Sequence, residues 1–114
     1  MRLNHLNLTV SDVPGTRKLL ETYFGFRGWE KGGSDKFDIV FDDEGLVLTL
    51  MKGAEVSYPN SFHIGFVQDS EEQVNAINER LKEDGFDVKP PRRFHGSWTF
   101  YFRAPGGFVV EVLC

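Results

Sequence analysis

The sequence of 114 residues has a single cysteine, Cys114, and only three histidines. One thiol cannot form a disulfide within the chain, and this scarcity is typical of proteins from the reducing cytoplasm. No apolar run is long enough to span a bilayer, and the N-terminus lacks the apolar core of a signal peptide. The formal net charge of −4 also disfavours binding to nucleic acid or acidic membranes. We therefore expect a cytoplasmic protein with neither kind of partner.

An internal repeat is the most informative feature of the chain. A strand that carries His5 opens the first half, and a strand that carries His63 opens the second. Each half continues into a helical pattern that ends at a Gly-Phe pair, and each closes with an apolar run entered through glycine. The repeat predicts an α+β fold with β-α-β-β-β in each half. We expect one domain, 1–114, with module 1 at 1–55 and module 2 at 60–114.

Local signals predict the bounds of the elements. Asp12 is typical of a helix N-cap, and Gly25 ends the helix that follows. In the second half Ser70 and Gln73 fit a capping box, and Gly85 ends that helix. Strands are predicted at 2–10, 37–41, 46–51, 62–67, 98–103 and 108–113, with weaker signals near 28–31 and 87–89.

The repeat matches His5 with His63 and Thr49 with Glu111. Glu111 stands inside the apolar run Val109–Leu113, where a carboxylate is costly to bury unless it is paired or binds a cation. Two imidazoles and one carboxylate at equivalent positions predict a divalent metal site, for which Mn, Fe, Zn, Ni and Co are all compatible. Such an ion acts as a Lewis acid or carries an activated water. Taken singly, each residue also has a structural interpretation, as a hydrogen-bonded histidine or a glutamate on a solvated strand face.

Further side chains are placed near these candidates by strand alternation. Asn7 and Thr9 share the face of His5 and are expected to bind substrate. Trp98 lies in a segment, 95–98, that is expected to be a loop able to close over a ligand. The pair Arg92-Arg93 is interpreted as solvated surface, with an anion clamp as the alternative.

The chain resembles the vicinal oxygen chelate superfamily, which holds glyoxalase I, bleomycin-resistance proteins, extradiol dioxygenases and fosfomycin thiol transferases. The resemblance covers essentially the whole chain. It rests on the repeat, the opening strand Leu3–Val10, the strand Phe62–Phe66 and the terminal hairpin Phe100–Glu111. It implies tandem βαβββ modules that form an incomplete β-barrel around a metal, which the substrate chelates through two adjacent oxygens.

The resemblance also implies roles for individual residues. The metal ligands would be His5, His63 and Glu111, with His5 from one subunit of a homodimer and the other two from its partner. Thr99 and Tyr101 would lie on the cavity side of the hairpin. Thr99 is then a substrate-binding candidate, and Tyr101 is the catalytic candidate, as a donor to a developing oxyanion. The interpretation of Tyr101 as a packing residue stays open.

Some positions depart from individual members of that superfamily. Thr49 stands where glyoxalase I enzymes carry a fourth ligand, usually glutamate, which disfavours the usual glyoxalase activity. The sequence ends at Cys114, before the tail that supplies phosphonate-binding residues in fosfomycin transferases, which disfavours that substrate. Extradiol dioxygenases add a catalytic histidine, for which only His95 is available, and Ala104 replaces an aspartate in the terminal turn.

Two functions remain in competition. The first is a metal-dependent enzyme of the lyase, thiol-transferase or dioxygenase type, acting on a small substrate with adjacent oxygens. The alternative is a metal-free protein of the bleomycin-resistance type that sequesters an aromatic or cationic molecule. The 11 phenylalanines, with Trp29 and Trp98, favour the alternative. The intact set of three ligands favours the enzyme.

Overall fold

The computed structural model describes residues 1–114 and contains the predicted βαβββ order twice. The fold is therefore α+β, as predicted. The first half contains β1 (His5–Val10), α1 (Val13–Phe24), β2 (Arg27–Gly28), β3 (Phe37–Phe41) and β4 (Val47–Lys52). The second half contains β5 (His63–Val67), α2 (Glu71–Glu83), β6 (Arg92–Phe94), β7 (Ser97–Arg103) and β8 (Val109–Leu113). Neither helix is long and apolar enough to cross a membrane.

Each half forms its own mixed, open sheet of four strands. The strand orders are β1-β4-β3-β2 and β5-β8-β7-β6. The pairs β1–β4 and β5–β8 are parallel, whereas the other pairs are antiparallel. The two strands that carry the repeated histidines therefore occupy equivalent edges of their sheets.

The chain divides into two compact units, and each unit is formed by two separate segments of the sequence. Unit 1 comprises Met1–Tyr58 together with Ala104–Phe108, and unit 2 comprises Pro59–Arg103 together with Val109–Cys114. The short segment between β7 and β8 thus belongs to unit 1.

Both helices begin at their predicted capping residues, and α1 also ends at its predicted glycine. The amide of Gly15 donates to Oδ1 of Asp12 over 2.9 Å, and Gly25, at φ 72°, closes α1 in the left-handed region. The amide of Gln73 donates to the hydroxyl of Ser70 over 3.2 Å at the start of α2. Both helices therefore begin at side chains that satisfy otherwise unpaired amides.

The short strand of the second half is displaced from its predicted position. The prediction near residues 87–89 is wrong, because β6 begins at Arg92, directly after Pro90-Pro91. Proline has no amide hydrogen to give to a sheet, so pairing starts only beyond it.

The predicted loop at 95–98 is confirmed only for its first two residues. His95 and Gly96 form a two-residue hairpin turn with φ values of 51° and 79°, and Ser97 and Trp98 already belong to β7. Both turn residues are in the left-handed region that such tight turns require.

Along β1, β3, β4 and β8 the most buried residues lie on alternate positions. In unit 1, Leu8 and Val10 of β1 are buried, while His5, Asn7 and Thr9 are exposed. In unit 2, the neighbours of Glu111 on β8, at positions 110 and 112, are fully buried. The opposite face carries the polar candidates, which are exposed on β1 but partly or fully buried on β7 and β8.

One charged pair is buried in unit 1. Nη1 of Arg17 on α1 donates to Oδ2 of Asp38 on β3 over 2.8 Å, and the Asp38 side chain is only 4% exposed. The other carboxylate oxygen of Asp38 accepts from the amide of Ile39 over 2.8 Å. The pair fixes the helix to the sheet.

Candidate metal centre

His63 and Glu111 meet on one face of the second sheet. In the parallel register of β5 and β8, Gly65 lies opposite Glu111, two residues beyond His63. Nε2 of His63 lies 3.4 Å from Oε1 of Glu111. The carboxylate is the deeper partner, because the Glu111 side chain is 12% exposed and the His63 side chain 41%.

The second nitrogen of His63 is held by the backbone. Nδ1 lies 2.9 Å from the carbonyl oxygen of Ser61. A carbonyl only accepts, so Nδ1 carries the hydrogen and, in the neutral ring, Nε2 keeps its lone pair. Metal-binding histidines commonly donate their other N–H in this way. Nε2 is therefore the nitrogen that is available to a metal ion, and it faces Glu111.

Two hydroxyl groups of β7 hold the Glu111 carboxylate. The Thr99 hydroxyl lies 2.7 Å from Oε2 of Glu111 and 3.1 Å from the carbonyl oxygen of Val112. The charged carboxylate is the stronger acceptor of its single proton. Tyr101 lies opposite Glu111 in the register of β7 and β8, and the interaction of its hydroxyl with the same carboxylate contributes to its raised pKa. Glu111 is thus positioned before any ligand arrives.

Tyr101 is kept in its neutral form. Burial, and then the hydrogen bond to Glu111, raise the pKa of the Tyr101 hydroxyl above its ordinary value, while the charge of Arg92 acts in the opposite direction. The ring stands edge-on to the imidazole of His63, with 5.4 Å between centroids. Tyr101 is therefore a protonated donor at neutral pH, adjacent to both side chains of the pair.

The pair fits a divalent cation. When His63 is neutral, Nε2 and Oε1 are both acceptors, so no hydrogen bond joins them across the 3.4 Å between them. Two ligands bound at about 2.1 Å to one tetrahedral ion lie roughly 3.4 Å apart. Gly65 leaves space beside the carboxylate, since a Cβ there would lie 3.8 Å from Oε1 of Glu111. Neutral imidazole and carboxylate are ligands that suit Mn, Fe, Zn, Ni and Co.

His5 has a similar local environment in unit 1. Its Nδ1 lies 3.2 Å from Oδ1 of Asn4, which leaves Nε2 available to a ligand. In the register of β1 and β4, Asn7, two residues beyond His5, lies opposite Thr49.

This register repeats that of the second sheet. Gly65, two residues beyond His63, lies opposite Glu111 in the same way. The matches that the sequence predicted, His5 with His63 and Thr49 with Glu111, are therefore confirmed.

The single chain contains no group of three or more His, Cys, Asp or Glu side chains able to hold a metal ion. The structure brings together two of the three predicted ligands, His63 and Glu111. The role of His5 as the third ligand stays a prediction.

The substrate-binding candidates of unit 1 lie on the open face of β1. Oδ1 of Asn7 accepts from the Thr49 hydroxyl over 2.6 Å. The backbone of Thr9 is bound at both its amide and its carbonyl by the Tyr58 hydroxyl, over 3.0 and 2.8 Å. No sequence pattern indicated this use of Tyr58. Both candidates are exposed, and their roles stay predictions.

The candidates of unit 2 separate onto the two faces of β7. Thr99 contacts Glu111 and is almost fully buried. Trp98, its neighbour, donates from Nε1 to Oδ1 of Asn75 on α2 over 2.8 Å. The structure therefore brings Thr99, but not Trp98, to the pair.

The two adjacent arginines also separate. Nη2 of Arg93 lies 2.7 Å from Oε2 of Glu71 on α2. Arg92 lies opposite Thr99 in the register of β6 and β7, so it shares the face of Glu111. The signal that distinguishes the two arginines is the alternation of side chains along residues 92–94. This signal was not used, because the strand was expected five residues earlier.

The chain was compared with known families and curated proteins. The sequence matches the Glyoxalase/Bleomycin resistance protein/Dioxygenase superfamily over residues 2–112. The comparison with curated proteins gave no match.

Several solved structures are similar. A possible glyoxalase from Bacillus cereus is 54% identical, with a TM-score of 0.93 over 100% of this chain and 99% of that one. The fosfomycin resistance protein FosX from Listeria monocytogenes is 27% identical, with a TM-score of 0.79 over 100% of this chain and 90% of that one. A mutant of that FosX, 25% identical over 99% and 91% of the chains (TM-score 0.79), was crystallised with Mn(II) and 1S,2S-dihydroxypropylphosphonic acid. Lactoylglutathione lyase from Agrobacterium tumefaciens, 18% identical with a TM-score of 0.75 over 98% and 92%, shares the fold.

Proposed function

This chain belongs to the Glyoxalase/Bleomycin resistance protein/Dioxygenase superfamily, and from that premise we propose that it is a divalent-metal-dependent enzyme. Its substrate is a small molecule with two adjacent oxygens, and its reaction is of the lyase, thiol-transferase or dioxygenase type. The observation that carries the proposal is the pair of acceptor atoms, Nε2 of His63 and Oε1 of Glu111, 3.4 Å apart with their other atoms already hydrogen-bonded.

The proposed ligands are His5, His63 and Glu111. The ion is Mn, Fe, Zn, Ni or Co, and the Mn(II) bound to the FosX mutant supports a divalent ion of this class. When bound, such an ion supplies Lewis acidity toward a substrate oxygen. The single carboxylate among the ligands leaves most of its positive charge available for that purpose.

The chain's own groups orient the ligands and the substrate. Thr99 and Tyr101 fix the Glu111 carboxylate from β7. We assign Tyr101 as the catalytic residue, because its hydroxyl stays protonated beside the pair. In this role the hydroxyl turns from Glu111 to the substrate and donates to an oxygen that gains negative charge. Asn7 and Thr9 are assigned to substrate binding from the open face of β1.

We further propose a cytoplasmic homodimer, in which His5 of one subunit joins His63 and Glu111 of the other. Mixing His5→Ala and His63→Ala subunits after unfolding and refolding tests this arrangement. A mixed dimer then has one site without either histidine and one complete site, so an equal mixture regains about a quarter of the wild-type metal sites. A site within one chain regains none, which would contradict the shared arrangement.

The metal-free alternative has less support in this fold. It rested on the abundance of phenylalanine as a sign of an aromatic binding cavity. Four of these residues, Phe26, Phe100, Phe102 and Phe108, are buried in the core. Phe102 packs against both Phe86 and Phe100, with ring centroids 6.0 and 6.1 Å apart. Packing within the units thus accounts for five of the 11 phenylalanines.

A substrate screen distinguishes the two functions. Wild-type protein loaded with Mn(II) and the Glu111→Gln variant are assayed against diols, hydroxy-ketones, epoxides and glutathione adducts. The proposal predicts turnover that requires the metal and is lost in Glu111→Gln, which keeps the side-chain shape but removes the charge. Tight binding of an aromatic or cationic compound to metal-free protein, unchanged in Glu111→Gln and without turnover of any substrate, would favour the alternative.

A further inference from the structure

A small cavity of about 190 Å³ adjoins Tyr101 in unit 2. It is lined by Lys89, Pro90, Arg92, Thr99, Phe100 and Tyr101. Its volume corresponds to about six water molecules at roughly 30 Å³ each. Cavities that enclose a drug-sized ligand are larger, about 300–1,000 Å³. The cavity therefore suits one polar group of a ligand rather than a whole ligand.

The charges at this cavity have one sign. Lys89 and Arg92 line it, and no aspartate or glutamate does. Neither cation takes part in any of the ion pairs of the chain. Their neighbour Arg93, in contrast, is paired with Glu71 on the helix side of the sheet. Two unpaired cations at one small cavity favour the binding of an anion.

Arg92 is held in place by aromatic stacking. Its guanidinium carbon lies 4.3 Å from the centroid of the Phe94 ring, and that centroid lies 3.8 Å from the centroid of the His95 ring. A stacked guanidinium loses less conformational freedom when it binds a planar or tetrahedral oxyanion. The side chain is therefore partly preorganised for such a group.

The cavity is also close to the candidate metal centre. Arg92 lies opposite Thr99, and Tyr101 lies opposite Glu111, all on one face of the sheet. Only β7 separates β6 from β8, so their backbones lie roughly 10 Å apart. A small molecule bound beside Tyr101 therefore lies between Arg92 and the Glu111 carboxylate.

We propose that Lys89 and Arg92 form a subsite for an oxyanion, so that the substrate is a small organic acid whose carboxylate, phosphonate or phosphate group binds beside Tyr101. The assignment of this anion to the substrate rests on the proposed metal-dependent function. The anion binding itself does not, because all six lining residues belong to unit 2 and none is a proposed metal ligand.

The test uses metal-free full-length protein and simple probes. Methylphosphonate and acetate are titrated by NMR while the backbone amides are followed, with 1,2-propanediol as the neutral probe. Arg92→Gln and Lys89→Gln each remove one cation of the subsite. Lys18→Gln removes an exposed cation from α1 in unit 1 and matches their change in net charge. Thermal unfolding checks that each variant is folded.

The subsite predicts saturable shifts at residues 89–101 with one or both anions and none with the diol. Binding weakens at least about tenfold in Arg92→Gln and Lys89→Gln, weakens with added salt, and is unchanged in Lys18→Gln. The anion that binds more tightly identifies the group. Should Arg92→Gln fail to fold, Lys89→Gln decides. Equal weakening in all three variants, or no shifts at residues 89–101 in wild type, would overturn the proposal.

A second titration links the subsite to the metal. Protein loaded with Mn(II) is titrated with 1S,2S-dihydroxypropylphosphonic acid, which carries adjacent hydroxyls and an anion, and with 1,2-propanediol. The proposal predicts that the acid binds at least about tenfold more tightly than the diol and that Arg92→Gln removes this difference. If no metal binds while metal-free protein still binds anions, the proposed function fails and the subsite stands. If metal binds but the acid binds no more tightly than the diol, the subsite is not part of the substrate site.

Discussion

The Thr99 hydroxyl lies 2.7 Å from Oε2 of Glu111, and this contact leaves Oε1 as the carboxylate oxygen that faces His63. One buried hydroxyl therefore decides which oxygen of the carboxylate is available to a ligand. Side chains that hydrogen-bond to a metal ligand do not touch the ion, but their loss commonly lowers metal affinity by about 10–100-fold. The relationship between Thr99 and Glu111 is consequently open to a direct test.

Replacing Thr99 by valine is expected to lower metal affinity by roughly tenfold or more, because Glu111 loses the donor that orients it. Valine keeps the branched shape, so the fold is retained. The lost hydrogen bond costs about 1 kcal/mol of the free energy of unfolding. Calorimetric titration with Mn(II) and urea unfolding measure the two effects.

Thr49→Val is the matched control for that variant. Thr49 occupies the equivalent position of the first module, where its hydroxyl donates to Asn7 and not to a proposed metal ligand. Its metal affinity should equal that of wild type. An equal loss of affinity in both threonine variants would show that the effect is general and not transmitted through Glu111.

The raised pKa of Tyr101 predicts a specific dependence of stability on pH. Folding favours the neutral phenol, so this contribution to stability is fully present below the ordinary pKa of 10.0 and is lost as pH rises through the higher folded value. The stability advantage of metal-free wild type over Tyr101→Phe should therefore shrink as the pH rises through and above the ordinary pKa of 10.0. Urea unfolding of both proteins across this range measures it. An advantage that grows with pH would contradict the buried, hydrogen-bonded tyrosine.

The buried pair of Arg17 and Asp38 predicts a large effect on stability. Asp38→Ala leaves Nη1 of Arg17 and the Ile39 amide without their partner, while Nε of Arg17 keeps its contact with Glu21. Because the Arg17 side chain is 28% exposed and regains some water, we expect a loss of about 3 kcal/mol, at the lower end for such pairs. Urea unfolding measures the loss.

Asp43→Ala is the control for the buried pair. Asp43 pairs with Arg27 at the surface, where its side chain is 82% exposed. Its removal should cost less than about 1 kcal/mol. Similar losses in the two variants would show that burial does not distinguish the pairs.

Substitutions of Gly65 test whether the space beside the Glu111 carboxylate is needed for metal binding. A Cβ at this position meets Leu113 at 3.5 Å and Oε1 of Glu111 at 3.8 Å, which are ordinary contacts. Gly65→Ala should therefore bind Mn(II) like wild type, whereas the larger side chain of Gly65→Leu should block the space beside the carboxylate. Equal Mn(II) affinity of the alanine and leucine variants would show that this space is not used.

Much of the fold was predictable because its signals are local. Asp12 and Gly25, like Ser70 and Gly85, mark helix ends through backbone groups within a few residues. The equivalence of Thr49 and Glu111 followed from the repeat, because two modules with one topology share one strand register.

The remaining features depend on contacts that one sequence does not encode locally. The Ser61 carbonyl that holds His63 leaves no sequence signal, because every residue has a carbonyl. Arg92 and Arg93 lie on opposite faces of β6, which begins directly after two prolines. Because this strand was predicted at 87–89, its alternation could not be applied to the two arginines. Trp98 was placed beside the ligand because its segment was expected to be a loop, whereas a two-residue turn directs it toward α2.

The central claim is that His5, His63 and Glu111 bind one divalent ion. A Mn(II) titration of wild type, His5→Ala, His63→Ala and Glu111→Gln, with thermal unfolding of each protein, tests it most directly. The account predicts one ion per chain in wild type and affinity lower by more than about 100-fold in every variant, with the fold retained. Wild-type affinity in all three variants, or no Mn(II) binding by wild type at neutral pH, would contradict it.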